Sequence, residues 1–535
     1  MFKSLLKFFQ KKENLIFVLI LLTAAFLRFY KIGDYMTFLG DEGRDVLVVY
    51  NILHGNLTLL GPNASVGGFF LGPIYYYFMA PFLLLFNYNP VGPAVMVAFF
   101  GVATVWLVYK IGSEFFDKRT GILAASLYTI SPIVIAYSRS SWNPNLMPFF
   151  SLLTLYVLYK AVKNSSYKLF VASGILFGIL LQLHYLATFV GIVIGFYILL
   201  GNLIINHKQF LLRLTQTVKN YLYFFLGFLI GWSPFLLFEA RHGFPNIKSI
   251  INFIFHSGET GGNPNYFAIV WDVFFRLFGR LIMKFPPPEQ ISIPASNINF
   301  DFYFINFKLE AFYLFFFTLI LAFGGLALFL YKLSHSFKNK ELFLKLSLIF
   351  LWFFAGIFLF GFYKKSIYDY YLGFMFPLPF LFIGYFLSSL FKYQIGKIAS
   401  IIFFSILVVL NLSGIPFRYV PNRQLVQVKE ISDFVLSKTD VKPFNFALIT
   451  GGNSDHAYRY FFKLASQDPT VIQNSQIDPE RKSVTDQLLI VCEDPNCHPL
   501  GYSLWEVSGF GRAEIAGEWD VSVVKVFKLV HYSGK

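Results

Sequence analysis

The chain has 535 residues, of which 56% are hydrophobic and 14% charged, with 70 Phe and 32 Tyr. Soluble domains carry about 25% charged residues, so the composition excludes a water-soluble enzyme of ordinary surface, and it excludes disorder because so much apolar area must be buried in lipid or protein. The net charge of +15 is uneven, since residues 1–415 hold 31 Lys+Arg against 15 Asp+Glu while residues 416–535 hold 13 against 14. The excess therefore lies in short loops of a polytopic membrane part, where basic residues report orientation rather than nucleic-acid binding.

A spanning helix needs about 20 apolar residues. Residues 1–13 read as a basic cytoplasmic N-terminus, and residues 14–415 hold eleven candidate spans: 14–31, 90–109, 120–137, 146–162, 169–186, 187–205, 220–239, 308–331, 344–362, 371–390 and 398–415. No small-residue cleavage site follows the first, which is read as an uncleaved anchor. The run at 73–86, PIYYYFMAPFLLLF, decides the sidedness of everything after it. If it does not span, Lys110, Lys118, Arg119, Lys160, Lys163, Lys168, Lys332, Lys340 and Lys345 share the cytoplasmic side, and the short outer loops keep only Arg139, Lys364 and Lys365. That arrangement obeys the positive-inside rule and the spanning alternative inverts it, so the run is expected to be a juxtamembrane or re-entrant helix on the outer side. Long outer segments at 32–89 and 240–307, and the tail from 416, are then the places where a site could be built.

In the tail, 428–436 has helical spacing, and 444–450, 488–492 and 521–530 read as short strands. The expected fold is an all-α polytopic membrane protein carrying a small extracytoplasmic α/β domain at 416–535. Both cysteines, Cys492 and Cys497, lie in that domain, where a disulfide is the expected state; a zinc site lacks further ligands at a recognised spacing.

Four of the 15 acidic residues before position 416 fall just beyond the first span: Asp34, Asp41, Glu42 and Asp45. Carboxylates at a membrane boundary are costly to desolvate and mark function more often than carboxylates in ordinary loops, although a solvated loop face would look the same in isolation. Here Asp41 and Glu42 follow apolar Phe38 and Leu39 and precede a helical run, and Arg44 lies three positions after Asp41, so one helical turn can hold a carboxylate and a guanidinium on one side.

An uncleaved first span ending in Leu-Arg, the Asp41-Glu42 pair with Arg44 close behind, and the segment Gly72-Pro73-Ile74-Tyr75-Tyr76 together resemble the GT-C fold glycosyltransferases, in the branch of protein O-mannosyltransferases and lipid A aminoarabinose transferases. The likeness covers roughly residues 14–415. It implies a catalytic acid-base role for Asp41 with Glu42 beside it, a lipid-phosphate partner in Arg44, and a polyprenyl-phosphate sugar as donor substrate. The chemistry stands independently: an acceptor hydroxyl needs a base within hydrogen-bond reach and a departing phosphate needs a cation. No cofactor is expected. The chain departs from many relatives where it has Leu71-Gly72-Pro73 in place of a phosphate-binding Lys, and where the second outer loop offers Asn143 and Asn145 in place of a carboxylate. Asn is a poor metal ligand beside carboxylate, so no metal is expected.

Lys364 and Lys365, outside against the charge trend, read either as a snorkelling pair or as a phosphate clamp with Tyr370 replacing the missing Lys. Tyr75, Tyr76, Arg139, Trp142, Asn143 and Asn145, and the group Glu239, Arg241 and His242 at the end of the seventh span, are candidate substrate contacts; an interfacial cap explains the last three equally well. His184 in a tight turn reads as a hydrogen-bonded residue, and the Pro-rich stretch at 284–289 as a rigid loop element. The function expected is transfer of a sugar from a polyprenyl-phosphate carrier to a protein, lipid or glycan acceptor at the extracytoplasmic face of the cell membrane. The rivals are a transporter or flippase of lipid-linked glycans, disfavoured because spans nearly free of carboxylates lack the midplane charges of such proteins, and a non-catalytic glycan-binding subunit of the same fold.

Overall fold

The computed structural model describes residues 12–204, 210–284, 309–494 and 497–534; the N-terminal lysines before residue 12, Lys208 and the Pro-rich stretch beyond Lys284 lie outside the described residues. Among the described residues, six helices are long and apolar enough to cross a bilayer, or eight if two bent pairs each count as one span. The count of eleven is therefore not reached, and the reasons are local. The first helix, Lys12–Phe29, carries Lys12, Glu13 and Arg28 within its 18 residues. The expected span at 120–137 is two helices, Lys118–Ile130 and Pro132–Tyr137, because Pro132 has no N–H to donate and holds Ser131 in an extended conformation at ψ 121°. Tyr167–Leu183 has only 17 residues. The run at 73–86 forms a helix of 12 residues, Ile74–Leu85; at 1.5 Å per residue this is well short of the roughly 30 Å hydrocarbon core.

The basic loops expected to share a side do meet at one end of the bundle. Lys118 pairs with Glu13 at 2.8 Å, Lys160 with Glu114, Lys163 with Glu341 at 2.6 Å and Lys345 with Glu341 at 2.8 Å. At the other end the chain folds repeatedly out of helix. Asp369–Met375 and Pro377–Leu390 meet at 60°, and Leu211–Gly231 and Ser233–His242 at 73°. The acidic helix Gly40–Leu53 and the C-terminal domain lie at that end, tied by Arg423 N–H to Asp34 carbonyl at 3.0 Å and Tyr460 hydroxyl to Tyr88 carbonyl at 2.6 Å.

The C-terminal domain is a four-stranded sheet of order β1-β2-β4-β3, with β1 Asn445–Ile449, β2 Gln487–Cys492, β3 Ala513–Val521 and β4 Val524–His531. β1 and β2 pair in parallel, and the remaining pairs are antiparallel. β1 and β2 are buried throughout, which is why both were legible as apolar runs. The third expected strand is corrected: 521–530 contains the turn of a hairpin, with Ser522 at φ 55°, and its partner β3 is a half-exposed edge strand with a bulge that breaks the apolar alternation. The expected helix at 428–436 is Gln424–Ser437. Cys492, the last residue of β2, is paired with Cys497.

Candidate active site

The acidic helix starts at Gly40, and Glu42 in its first turn reaches back to accept the Leu39 N–H at 3.0 Å, satisfying an otherwise free donor of the helix start. One turn on, Arg44 joins two carboxylates. Its Nη1 donates to Asp41 Oδ1 at 2.8 Å, and its Nε and Nη2 donate to Asp45 Oδ1 at 2.9 and 2.8 Å. Tyr76 hydroxyl adds a third donor to the same Asp45 oxygen at 3.2 Å, while Asp45 Oδ2 is buried and has no hydrogen-bond partner among the described residues. Burial pushes the Asp45 carboxyl up to about 6 against the pull of Arg44, and burial pushes Glu42 up to about 7 against the pull of the Leu39 N–H. Asp41 differs from both, since its side chain is 54% exposed.

Asp41 faces two adjoining cavities and, with Trp142, lines both. The first, of about 280 Å³, also takes Arg44, Ser65, Asn143, His184 and Tyr370 into its wall. Through Leu71 and Tyr185 it adjoins a third cavity of about 490 Å³ lined almost wholly by aromatic and aliphatic side chains, among them Phe69, Phe189, Phe228, Trp232 and Phe253. The second cavity at Asp41, of about 640 Å³, lies on the other side of the acidic helix start and is closed by residues 452–454 of the C-terminal domain.

That closure is built by glycine. A Cβ on Gly43 would collide with the Ala457 backbone of helix His456–Leu464, so only Gly lets the two helices meet this closely. Asn453 bridges the contact, its Oδ1 accepting the Gly40 N–H at 2.9 Å and its Nδ2 donating to Glu493 at 3.0 Å. Glu493, next to Cys492, also accepts from Thr450 at 2.7 Å and Tyr458 at 2.9 Å.

The other sequence candidates divide. Trp142 packs against Tyr370 with ring centroids 4.3 Å apart. Asn143 and Asn145 line the cavities while their amides donate to the Leu183 and Ser140 carbonyls at 2.6 and 2.9 Å. Tyr75 is buried against Ser141 at 2.8 Å. Arg139, expected at the substrate, instead caps the first helix: its Nη1 and Nη2 donate to the carbonyls of Leu27, Arg28 and Tyr30 at 2.9, 3.0 and 2.7 Å, and Phe417 covers its face. Glu239 is likewise a cap, fully buried and accepting from Asn246 and the Ile247 N–H at the start of helix Pro245–Phe255, while Arg241 and His242 are exposed and line neither cavity. Lys365 pairs with Glu259 at 2.7 Å, and neither it nor Lys364 lines the cavities.

Sequence reasoning missed three contributors. Asp45 stood in the acidic group but was passed over for the adjacent pair. His184 is hydrogen-bonded in its turn as expected, its Nδ1 accepting the Leu186 N–H at 3.3 Å, and it lines the cavity besides. Arg276, Arg280, Asp272 and Asp369 form a buried ionic cluster, with Arg276 on Asp272 at 2.8 Å and Arg280 on Asp369 at 2.6 Å, and Asp369 leads directly into Tyr370. Among the described residues, no three His, Cys, Asp or Glu side chains are grouped to hold a metal ion.

The fold defines the class. The chain has the GT-C fold, and its resemblance to the polyprenyl-phosphate-sugar glycosyltransferases that share that fold is borne out. More particularly, residues 71–238 match the sequence profile of the family described as dolichyl-phosphate-mannose-protein mannosyltransferase. The structure of ArnT from Cupriavidus metallidurans bound to undecaprenyl phosphate is similar at TM-score 0.59 and 11% identity, covering 96% of this chain and 97% of that one. The Archaeoglobus fulgidus oligosaccharyltransferase in complex with Zn and sulfate follows at 0.52 and 14%, covering 89% and 67%. The oligosaccharyltransferase AglB from the same organism, in complex with an inhibitory peptide and a dolichol-phosphate, is similar at 0.51 and 14%, covering 90% and 70%. No curated protein sequence matches the chain.

Proposed function

We propose that the chain is an integral-membrane glycosyltransferase that moves a sugar from a polyprenyl-phosphate carrier to an acceptor hydroxyl, with Asp41 as the base and Arg44 facing the donor phosphate. The observation that carries this reading is the position of Asp41 and Arg44 on one helical turn, with Asp41 alone of the two reaching both cavities. Donor phosphate lies in the cavity that Arg44 lines, and its isoprenoid chain runs into the adjoining aromatic cavity. The acceptor comes from the other side. Its hydroxyl proton passes to the Asp41 carboxylate, its oxygen bonds to the anomeric carbon, and the bond from that carbon to the phosphate oxygen breaks with its electron pair going to the phosphate. Attack opposite the leaving group inverts the anomeric centre.

Three of the five N–H donors of Arg44 are engaged by carboxylates, which leaves one N–H on each of Nη1 and Nη2 for an arriving phosphate. Arg44, rather than a metal ion, supplies the charge: the neighbouring loop brings Asn143 and Asn145, already bonded to backbone carbonyls, and not carboxylates. The site faces the extracytoplasmic side, a placement supported by the basic loops gathered at the opposite end. Purified protein in nanodiscs, given a panel of polyprenyl-phosphate sugars, is expected to hydrolyse or transfer from at least one of them, and Asp41→Asn is expected not to. Absence of turnover across dolichyl and undecaprenyl carriers would refute the reading.

A further inference from the structure

The two cavities at Asp41 differ in charge in a way that selects what each can hold. The donor-side cavity has the Arg44 guanidinium in its wall. The other is lined by the acidic residues Asp41 and Glu42 and by no Lys, Arg or His. What it offers besides is uncharged and hydrogen-bonding, namely Thr37, Ser140 and Asn145, together with the rings of Tyr137 and Trp142. Its volume of about 640 Å³ lies within the roughly 300–1,000 Å³ of small-molecule sites.

We infer that this second cavity is an acceptor subsite for an uncharged, hydroxyl-rich acceptor, a saccharide, and that residues 452–454 of the C-terminal domain form its specificity-determining wall. The inference rests on the glycosyltransferase reading above and adds the acceptor class to it. A phosphorylated or carboxylated acceptor would enter beside the Asp41 carboxylate with no Lys, Arg or His in the cavity wall to meet it, Arg44 lying on the donor side and already paired with Asp41 and Asp45, and like charges at this range repel. A pyranose suits the lining better. Its C–H face packs on Trp142 or Tyr137, as amphipathic rings allow, and its hydroxyls exchange hydrogen bonds with Ser140 and Asn145. A peptide acceptor would need a groove for an extended backbone with paired main-chain donors and acceptors, and the sheet edge that leads into residues 452–454, β1, is buried along its whole length.

The wall is pre-organised rather than loose. Asn453 is held from both sides, by the Gly40 N–H and by Glu493, and Ser454 hydroxyl lies 2.7 Å from His456 Nδ1. Thr37 and Ser140 hydroxyls are paired at 3.0 Å on the opposite wall. A site fixed in this way gives up little conformational entropy on binding.

The test uses the full chain in nanodiscs with its active polyprenyl-phosphate sugar and three acceptors: a neutral oligosaccharide methyl glycoside, the same glycoside phosphorylated, and a Ser/Thr-rich peptide. The wild type is expected to favour the neutral saccharide over the phosphorylated one by at least about tenfold in kcat/KM at low ionic strength, the scale of one unit of like-charge repulsion across a few ångströms of partly aqueous medium. Ala136 is an exposed side chain that lines this cavity and not the donor-side one; Ala136→Lys is expected to shrink that preference by a similar factor, and Ala136→Trp to abolish transfer while donor capture persists. Equal use of neutral and phosphorylated glycans with no response to Ala136→Lys, or preference for the peptide, overturns the inference while leaving donor turnover in place. Absence of donor turnover, including transfer to water, overturns the glycosyltransferase reading and this inference with it.

Discussion

Replacing Asp41 with Asn separates catalysis from structure because the geometry makes the two costs unequal. Asp41 and Arg44 are 54% and 26% exposed at the side chain, and an ion pair of that exposure is worth about 0–1 kcal/mol. Arg44 stays anchored after the change through its two bonds to Asp45. The variant should therefore fold, insert and capture donor much as the wild type does. Loss of a general base costs about 100- to 10,000-fold in rate, equivalent to about 2.7–5.4 kcal/mol at the transition state, well above the structural term. The assay is single-turnover transfer in nanodiscs alongside donor binding, with Glu42→Gln as the companion. That second variant is expected to lose much less, because the Gln carbonyl can still accept the Leu39 N–H and this side chain is occupied with capping the helix. Near-normal transfer by Asp41→Asn would remove the residue from the mechanism, and an equal loss of donor capture would make its role structural.

Arg44→Glu is expected to raise the donor concentration needed for half-maximal rate while acceptor saturation moves little, since a guanidinium pairs bidentately with phosphate; the opposite pattern in saturation kinetics would place Arg44 on the acceptor side. Glu42 has a folded carboxyl raised to about 7 by burial, so its protonated form stabilises the fold below the ordinary carboxylate range of about 4.3, and that contribution is lost as pH rises through about 7. The thermal midpoint in nanodiscs should therefore fall between about pH 5 and pH 8, and Glu42→Gln should flatten the decline; an equal slope in both proteins would refute it. Glu239→Ala removes an acceptor shared by Asn246 and Ile247 and is expected to cost about 1–3 kcal/mol of stability with donor KM unchanged, read by thermal unfolding and kinetics. Single cysteines at 110, 163 and 340 should resist an impermeant reagent in intact cells while those at 41, 142 and 450 react, and protection at 450 would overturn the proposed sidedness.

Apolar runs were legible because lipid leaves the backbone few alternatives to helix, and what run length concealed was interruption. Pro132, Pro234 and Pro377 each stand within the first two residues of a new helix, where proline ends the preceding one by removing a donor and crowding the previous turn. These breaks matter for the site. The chain leaving Pro132–Tyr137 delivers Trp142, and the turn before Pro377 delivers Tyr370, so two of the aromatic side chains of the donor cavity hang from interrupted helices. Such irregular backbone is tolerated at membrane depth only where protein or a cavity receives it. A prolyl residue inside an apolar run was therefore a pointer to the site that counting residues overlooked.

Charges at span ends were harder to interpret, because one signal arises from two needs. Arg139 and Glu239 stand out in the sequence just as Asp41 and Arg44 do, yet each is engaged with free backbone groups at a helix terminus, carbonyls for Arg139 and N–H groups for Glu239. A helix end in a low-dielectric setting must find such partners, and an isolated charge of the right sign is an effective one. Among the described residues, the side chains of Asp41 and Arg44 are bonded to side chains instead: Arg44 donates to Asp41 and to Asp45, beside a cavity. The difference is tertiary and has no local sequence signature, although adjacency helps, since Arg139 and Glu239 have no opposite charge three or four residues away to pair with, whereas Arg44 has Asp41. The Asn453 bridge to Gly40 spans 413 residues, and nothing in either segment announces it except the two glycines, Gly40 and Gly43, where a helix start would ordinarily favour Ser, Asp or a better helix former. Read physically, those glycines were a request for close approach by another backbone, and the domain that answers it forms one wall of the cavity at Asp41.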